Sequence, residues 1–282
     1  MLTYKEHYKL SVKNYGLQNV DINNLYNFTA FEVQAGSRNK FVVFDQKYFD
    51  CIQKLSDISN TFFSSPDEHC WFPRDVDRKT DKILRAKNVW LPEVNELASF
   101  IIPQIEKNLF KSNSIIDGVY WYRTSHKDSP EIGSFIWHYD NHCHERIKIM
   151  FYLNDVDESS GPFTYLWNEE NKNGLPCPTS RIDYLNWTKK HTRITNDFID
   201  EKKSEGYEEK RFLGKAGSFT IFDNNIAHKA TNPLLENHRD AIVLMVRPYH
   251  KKLPNFISKE WTGSNMHVDN FIDPTNCGVK IR

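Results

Sequence analysis

The stretch Trp137-His138-Tyr139-Asp140 decides the fold of this 282-residue chain, because it places an imidazole and a carboxylate one residue apart. In an extended strand, alternate side chains point to the same face of the sheet. We therefore predict a strand at 134–138, with His138 and Asp140 side by side at its end. His228 precedes a distant apolar segment and can bring a second imidazole to the same place.

These three side chains match the ligand set of a non-haem metal site. Two histidines and one carboxylate on one face of a metal, with other positions open, are typical of Fe(II) oxygenases. Arg239 lies eleven residues after His228 (239 − 228) and just before the apolar run Ala241 to Val246. A guanidinium held on such a strand is suited to a bidentate interaction with a carboxylate. The pattern thus predicts a metal beside an anion-binding arginine.

Other potential metal ligands follow this stretch directly. His142 and His144 continue the alternation of the first pair, but Asn141 to Glu145 has the composition of a loop, which would break it. Cys143, between the two histidines, also permits a zinc site. Structural zinc sites use pairs of ligands from two separate places, so we do not favour a zinc site at this single cluster.

The anion site also has alternatives. Arg247 lies on the same strand face as Arg239, eight residues further on (247 − 239). We favour Arg239, because a residue near the metal must enter close to His228. Tyr120 and Tyr122, on the strand before the His-x-Asp stretch, can line the pocket and hydrogen-bond a ligand, or they can pack as core aromatics.

Strand-like periodicity dominates the chain from Gly118 onward. Short apolar segments broken by Gly, Pro, Asn and Asp are typical of a sandwich or jelly roll. The predicted strands are 119–123, 134–138, 147–153, 163–167, 217–223 and 241–246, with a turn at 154–161. Helical patterns precede them, so the predicted fold class is mainly β with flanking α-helices.

A single domain over residues 1–282 is expected, since all-β barrels of this size often remain undivided. Residues 1–115 are predicted to be mostly covering helices and loops, 116–250 the β core, and 251–282 a C-terminal extension. The long polar segment 168–210 interrupts the core. Connections of this length are usually functional or disordered, so we predict a lid over the mouth of the barrel, with a helix near 195–203.

Two N-terminal elements are expected to cover the barrel. Phe41 to Phe44 is predicted as a short strand that runs into a helix. Pro92 suits a first helical position and begins an apolar repeat that reaches Phe110. Pro103 lies inside this repeat and should kink or divide the helix.

The run from Trp137 to about Arg247 resembles the phytanoyl-CoA dioxygenase-like branch of the Fe(II)/2-oxoglutarate-dependent oxygenases. The matching features are Trp137-His138-Tyr139-Asp140, Met150 to Val156, Gly161-Pro162-Phe163, Gly214 to Phe219, His228 and Arg239. Residues 1 to about 115 carry no matching motif. The resemblance implies a double-stranded β-helix (jelly roll, cupin-like) that holds iron, 2-oxoglutarate and a small organic substrate.

The resemblance also implies the roles of single residues. Fe(II) would bind His138, Asp140 and His228, and Arg239 would pair with the distal carboxylate of the cosubstrate 2-oxoglutarate. Reaction with O2 would hydroxylate an unactivated C–H bond of a small-molecule substrate and release succinate and CO2. Related halogenases have a small residue in place of the carboxylate, so Asp140 favours hydroxylation.

Composition excludes several other classes of protein. Lys and Arg number 37, as do Asp and Glu, and this zero net charge argues against a nucleic-acid-binding protein. The five cysteines form no Cys-x-x-Cys pair, which is typical of a reducing compartment. The N-terminus lacks the apolar core of a signal peptide, and no apolar run approaches the roughly 18 residues that span a bilayer. We expect a cytoplasmic protein that binds no membrane, and we leave its oligomeric state open.

Two other functions are compatible with the same residues. One is a cupin-like metal-binding or ligand-binding module without oxygenase turnover. The other is a metal-dependent enzyme that does not use 2-oxoglutarate, against which Arg239 argues.

Overall fold

The computed structural model describes residues 30–66, 83–87, 90–128, 133–140, 146–175, 193–224, 226–249 and 252–257. Its strands are β1 (Ala30–Val33), β2 (Ile83–Lys87), β3 (Ser114–Ser125), β4 (Ile147–Tyr152), β5 (Phe163–Asn168), β6 (Asn173–Gly174), β7 (Tyr207–Phe212), β8 (Phe219–Asp223), β9 (His228–Ala230) and β10 (His238–Pro248). Its α-helices are α1 (Gln46–Ser64), α2 (Pro92–Ile105) and α3 (Asn196–Ser204).

The described strands form two antiparallel sheets. The larger has the order β1-β8-β4-β10-β3-β2. In the smaller, β5 pairs with β7 on one side and with β9 and β6 on the other. Phe163 and Tyr165 of the smaller sheet share one buried cluster with Met150 and Val243 of the larger, so the sheets enclose a common core. The predicted mainly β fold, a double-stranded β-helix of the jelly-roll or cupin-like type, is confirmed.

Side-chain alternation along β10 separates two cores. Ile242 and Leu244 face the covering helices, whereas Ala241 and Val243 face the smaller sheet. Burial on both faces explains why this strand is a continuous apolar run rather than an alternating one. Arg239 has the same parity as Ala241, so its side chain points into the space between the sheets.

The covering helices begin at recognisable residues. Asp45 caps α1 by accepting a hydrogen bond from the backbone N–H of Tyr48 at 2.9 Å. Pro92 stands at the start of α2. The predicted helix from Pro92 to Phe110 is divided: α2 passes Pro103 and ends at Ile105, and a π-helical turn, Glu106–Phe110, follows.

The prediction of a strand at Phe41–Phe44 is wrong. The side-chain Oδ1 of Asn39 accepts hydrogen bonds from the backbone N–H groups of Phe41 (2.8 Å) and Val42 (2.9 Å), which holds the segment in a turn. Local side-chain bonds of this kind replace ladder bonds in the sheet. Phe41 and Val42 still bury their side chains in the helix-side core, which explains their apolar character.

The prediction of a regular strand at 134–138 is also wrong. Gly133–Phe135 forms a 3-10 turn, and His138 is the one described residue there that makes β-bridges, to Arg193 and His228. The neighbouring strand β9 has only three residues, so its edge is too short for a longer ladder.

The segment 168–210 contains the predicted helix. This is α3, which Thr195 caps through a hydrogen bond from the backbone N–H of Phe198. Residues 207–212 at its end form β7, which pairs with β5 along six residues. Residues 176–192 lie outside the described part. Among the described helices, none combines the length and the apolar character that a membrane crossing requires.

Candidate metal centre

The structure brings together the side chains of His138, Asp140 and His228. One ligand atom from each lies within 4.8 Å of the other two. Asp140 Oδ1 is 3.9 Å from Nε2 of His138, and Oδ2 is 3.3 Å from Nε2 of His228. Ligands about 2.1 Å from a metal and at right angles to each other lie about 3 Å apart. The three groups therefore need only a small inward movement to hold one ion.

Backbone hydrogen bonds fix this arrangement. The N–H of His138 donates to the carbonyl of His228, and the N–H of His228 donates back, both at 3.0 Å. The two imidazole centroids are consequently 4.4 Å apart. The N–H of Asp140 donates to the carbonyl of Asn224 at 3.1 Å, which ties the carboxylate segment to the end of β8.

Each imidazole is oriented by its second nitrogen. Nδ1 of His138 lies 2.8 Å from the carbonyl oxygen of Ile136, and Nδ1 of His228 lies 2.8 Å from that of Ile226. A carbonyl only accepts, so both Nδ1 atoms carry the proton and both Nε2 lone pairs face the site. Burial, with the neighbouring His228, lowers the pKa of His138 to about 3, so the ring is neutral at pH 7.

Lys148 is a fourth residue at this centre, and sequence reasoning missed it. Its ammonium donates a short hydrogen bond to Oδ2 of Asp140. Burial raises the pKa of the Asp140 carboxyl, but the Lys148 ammonium and the two imidazoles outweigh burial and hold that pKa well below its usual range. The sequence does contain a signal for this position. Lys148 lies two residues before Met150 in β4, so both side chains point to the same, inward face of the strand.

Arg239 lies in the same space between the two sheets, and 4% of this residue is exposed. Its Nη1 donates to the carbonyl of Gly161 (2.8 Å), where a positive φ of 77° favours glycine, and its Nη2 donates to Oγ1 of Thr124 (3.2 Å). Its Nε is buried without a hydrogen-bond partner in the described part of the chain. No described carboxylate lies within 4.0 Å of this guanidinium. Since an isolated buried charge is costly, the position suits an anionic ligand.

The rival arginine has a different environment. Nε of Arg247 donates to Oδ2 of Asp117 at 2.9 Å, and Arg146 donates to the same oxygen at 2.5 Å. Arg247 is therefore engaged in an internal ion pair. Tyr122 lines the cavity at the metal centre, whereas Tyr120 stacks against Tyr122 with its ring centroid at 5.7 Å. His142, Cys143 and His144 lie outside the described residues.

A cavity of about 90 Å³ joins the triad to Arg239. Its described lining consists of Ile83, Arg85, Tyr122, Thr124, Ser134, His138, Asp140, Lys148, Met150, Phe163, Phe222, His228, Lys229, Ala230, Arg239 and Val243. One water-sized group needs roughly 10–15 Å³ of such space, so an ion and a few ligand atoms fit. The lining combines these polar and charged groups with apolar side chains from both sheets.

Comparison with known proteins supports the fold. No family model matches the chain, and a search of curated proteins gives no significant match. Among solved structures, EctD from S. alaskensis in its apo form has a TM-score of 0.53 at 12% identity, over 84% of this chain and 82% of that chain. The chain therefore has the fold of EctD, with three side chains able to bind a metal at one end of its cavity.

Two weaker matches were solved with ligands. EctD from S. alaskensis with 2-oxoglutarate and 5-hydroxyectoine has a TM-score of 0.49 at 12% identity, over 84% of this chain and 82% of that chain. The epimerase SnoN, in complex with Fe3+, alpha ketoglutarate and nogalamycin RO, has a TM-score of 0.49 at 11% identity, over 86% of this chain and 90% of that chain.

Proposed function

We propose that this protein is an Fe(II)- and 2-oxoglutarate-dependent dioxygenase that hydroxylates an unactivated C–H bond of a small organic substrate, in the phytanoyl-CoA dioxygenase-like branch. The observation that carries the proposal is the combination of two features in one cavity. His138, Asp140 and His228 converge at one end. Arg239 is buried in the same space with no carboxylate among its described contacts.

In this proposal His138, Asp140 and His228 hold the iron. Both imidazoles offer a lone pair at Nε2 because their Nδ1 atoms are hydrogen-bonded to backbone carbonyls. Asp140 offers a carboxylate oxygen and supplies one negative charge. Two nitrogens and one oxygen on one face of a metal leave further positions for a chelating cosubstrate and for O2.

Arg239 has the role of binding the distal carboxylate of 2-oxoglutarate. Its buried Nε has no hydrogen-bond partner in the described part, and the Thr124 hydroxyl, which accepts from Nη2, lies beside it. Tyr122 lines the same cavity and can donate its hydroxyl, since burial raises the pKa of this phenol above its ordinary value. A hydrogen bond from the charged guanidinium of Arg239 to a carboxylate is stronger than one between neutral groups.

The apolar walls exclude water from the site. Met150, Phe163, Phe222 and Val243 line the cavity from both sheets. Iron(II) and 2-oxoglutarate, when bound, supply with O2 the oxidation of the C–H bond and the release of succinate and CO2. The part of the protein is to orient both reactants and keep the surrounding space dry.

Substrate-dependent succinate release tests this function. The protein is supplied with Fe(II), 2-oxoglutarate and O2 and screened against acyl-CoA esters, amino-acid derivatives, sugars and secondary metabolites. We expect one class to stimulate succinate formation and to gain one oxygen atom, detected by mass spectrometry. If 2-oxoglutarate binds but no compound yields succinate, the protein is instead a ligand-binding module. If succinate forms without oxygen transfer to the substrate, hydroxylation is wrong.

A further inference from the structure

A row of side chains crosses the smaller sheet and continues past the metal ligands. His228 is the register partner of Tyr165 on β5, and His138 makes one β-bridge to His228 and a second to Arg193. Tyr165 belongs to the buried cluster that the two sheets share, so the row lies on the inward face. Side chains directly opposite each other on paired strands point to the same face. Arg193 is therefore the next inward-facing position after the two imidazoles.

Arg193 and His138 form a close cross-strand pair. The backbone N–H of Ile194 donates to the carbonyl of Trp137 at 2.9 Å, so the bridge is of the type in which the two opposed residues are not hydrogen-bonded to each other. Pairs of this type have the closest side chains in an antiparallel ladder, with Cβ atoms about 4.5–5.5 Å apart. Arg193 is exposed, whereas His138 is buried. The guanidinium thus stands where the metal centre opens to solvent.

The charge of Arg193 acts on two of the three metal ligands. Burial and His228 are the larger causes that lower the pKa of His138, and Arg193 lowers it further. Burial lowers the pKa of Arg193 itself, and the carboxylate of Asp140 opposes this shift. These effects agree with the pairing of the strands, because both require the guanidinium to lie on the metal side of its segment.

Arg193 is available to bind a further anion. Asp140 is the carboxylate whose charge acts on it, but this group already contacts Lys148 and is a candidate metal ligand. Within the described part of the chain, the side chain of Arg193 makes no hydrogen bond or ion pair. Other exposed arginines, such as Arg38, are equally accessible. Arg193 differs from them in its place beside a metal ligand.

Arg193 and Arg239 occupy different places around the metal centre. Arg239 is on β10 of the larger sheet, where it is buried and acts on the phenols of Tyr122 and Tyr152. Arg193 extends the smaller sheet and is exposed. Sheets that pack face to face lie about 10 Å apart. A group bound at Arg193 is therefore on the solvent side of the triad, whereas the position proposed for the cosubstrate is in the interior.

We propose that Arg193 binds an oxyanion group of the substrate, a carboxylate or a phosphate, at the mouth of the metal centre. This rests on the proposed function for the role of the metal and of Arg239. A planar guanidinium binds either group through two parallel hydrogen bonds. Binding there holds one end of the substrate at the solvent side, while the adjoining carbon atoms extend past His138 toward the triad. Arg193 is thus a specificity-determining residue that selects anionic substrates over neutral ones.

Nuclear magnetic resonance of arginine side chains tests this directly. Protein labelled with ¹⁵N-arginine is loaded with zinc in place of iron and saturated with 2-oxoglutarate, and the Nε–H signal of Arg193 is assigned by its loss in Arg193→Gln. Propionate, methyl phosphate and neutral propionamide serve as probes. We expect at least one anion to shift the Arg193 signal saturably, propionamide to leave it unchanged, and exposed Arg38 to respond to none of them. The anion that binds more tightly identifies the group that the substrate carries.

A second measurement locates the bound probe. With Mn(II) in place of zinc, the protons of the tighter-binding anion should relax faster, because Arg193 places the probe near the metal. This enhancement should disappear in Arg193→Gln and remain in the control Arg38→Gln. Enhancement that persists in Arg193→Gln would mean that the anion binds the metal itself, and the proposal would be wrong.

Affinity for the tighter-binding anion should fall at least about fivefold in Arg193→Gln, because a charged donor is lost, and should be unchanged in Arg38→Gln. An Arg193 signal that neither anion moves, or that propionamide moves equally, would overturn the proposal. So would a loss of 2-oxoglutarate affinity in Arg193→Gln as large as that in Arg239→Ala, which would place Arg193 in the cosubstrate site. Failure of the proposed function is distinct, because the metal-loaded protein would then not bind 2-oxoglutarate, as calorimetry measures before any probe is added.

Discussion

The backbones of His138 and His228 exchange both of their hydrogen bonds, at 3.0 Å in each direction, although 90 residues separate them in the chain (228 − 138). Each histidine thereby sets the position of the other. The candidate metal centre is thus built on the contact between the segment before β4 and the start of β9, with Asp140 tied to the end of β8.

Replacement of a triad residue should abolish metal binding. In His138→Ala, Asp140→Ala or His228→Ala, one of three ligands is lost, so we expect Fe(II) affinity to fall at least about a hundredfold and turnover to disappear. Anaerobic Fe(II) titration measures this. His142→Ala and His144→Ala are the controls and should bind iron as the unaltered protein does. Full iron occupancy in His228→Ala would exclude the triad.

Replacement of Arg239 should affect the cosubstrate selectively. Arg239→Lys keeps the positive charge but loses the two parallel donors of the guanidinium, and Arg239→Ala loses both the charge and the donors. Hydrogen bonds to charged groups contribute about 1.5–3 kcal/mol, and about 1.4 kcal/mol is a factor of ten, so 2-oxoglutarate affinity should fall at least about tenfold in Arg239→Ala. Iron affinity in the absence of cosubstrate should stay within about threefold. Equilibrium titration of both ligands provides the measurement.

Arg247→Ala is the matched control for this experiment. Arg247 pairs with Asp117, so its loss should lower the free energy of unfolding by about 2 kcal/mol, measured by urea denaturation, and leave 2-oxoglutarate affinity unchanged. If Arg247→Ala instead lowers 2-oxoglutarate affinity while Arg239→Ala leaves it unchanged, then Arg247 is the residue that binds the distal carboxylate.

Lys148 should limit the affinity for the metal. Its ammonium contacts the carboxylate of Asp140, so only this carboxylate would separate it from a bound ion. Repulsion between charges of +1 and +2 about 5 Å apart is about 1.7 kcal/mol even in bulk water. Lys148→Met should therefore bind Fe(II) at least about tenfold more tightly without cosubstrate, while Lys148→Arg changes little. Weaker binding in Lys148→Met would show that the lysine supports the metal site.

His138 should make the metal-free protein less stable at low pH. The unfolded chain protonates this imidazole near pH 6.5, whereas burial and His228 hold its folded-state pKa at about 3. Protons therefore bind the unfolded state preferentially between these values, and the cost reaches about 2 kcal/mol between pH 7 and pH 5. In His138→Gln, the free energy of unfolding measured in urea should fall between pH 7 and pH 5 by less than it does in the unaltered protein, and the difference should be that amount. Equal losses in both proteins would contradict the depressed pKa.

Hydrogen exchange tests whether residues 168–210 form a substrate lid. We expect peptides from this segment, including α3, to exchange more slowly once a substrate from the screen is bound at saturation. Peptides from β10 should be unaffected, because that strand is buried on both faces already. Identical exchange in both states would leave the segment without a gating role.

Much of the core could be predicted from the sequence. The run Ala241 to Val246 is apolar at every position, which is typical of a strand buried on both faces. Segment 147–153 and the turn at 154–161 were likewise predicted, because apolar character and turn residues are local signals. The meeting of His138, Asp140 and His228 followed from their residue types together with the family motifs.

Other features depend on distant contacts. Residues 134–138 look like a strand, but the short β9 leaves only His138 a partner. The turn at Phe41 and Val42 was missed for a different, local reason: Asn39 is a turn-forming residue two positions before Phe41, and the apolar run was given more weight. The place of Arg85 in the cavity depends on which strand β2 joins, and β2 itself was not predicted. Such pairings are set by tertiary packing rather than by local pattern.

The most direct test of the account is an anaerobic titration of the Fe(II)-loaded protein with 2-oxoglutarate, followed by visible absorption. Chelation by the cosubstrate should produce a weak charge-transfer band that saturates with one equivalent. The band should be absent in His228→Ala and should require at least about tenfold more 2-oxoglutarate in Arg239→Ala. Iron that binds without any such band, at saturating 2-oxoglutarate, would contradict the assignment as a 2-oxoglutarate-dependent enzyme.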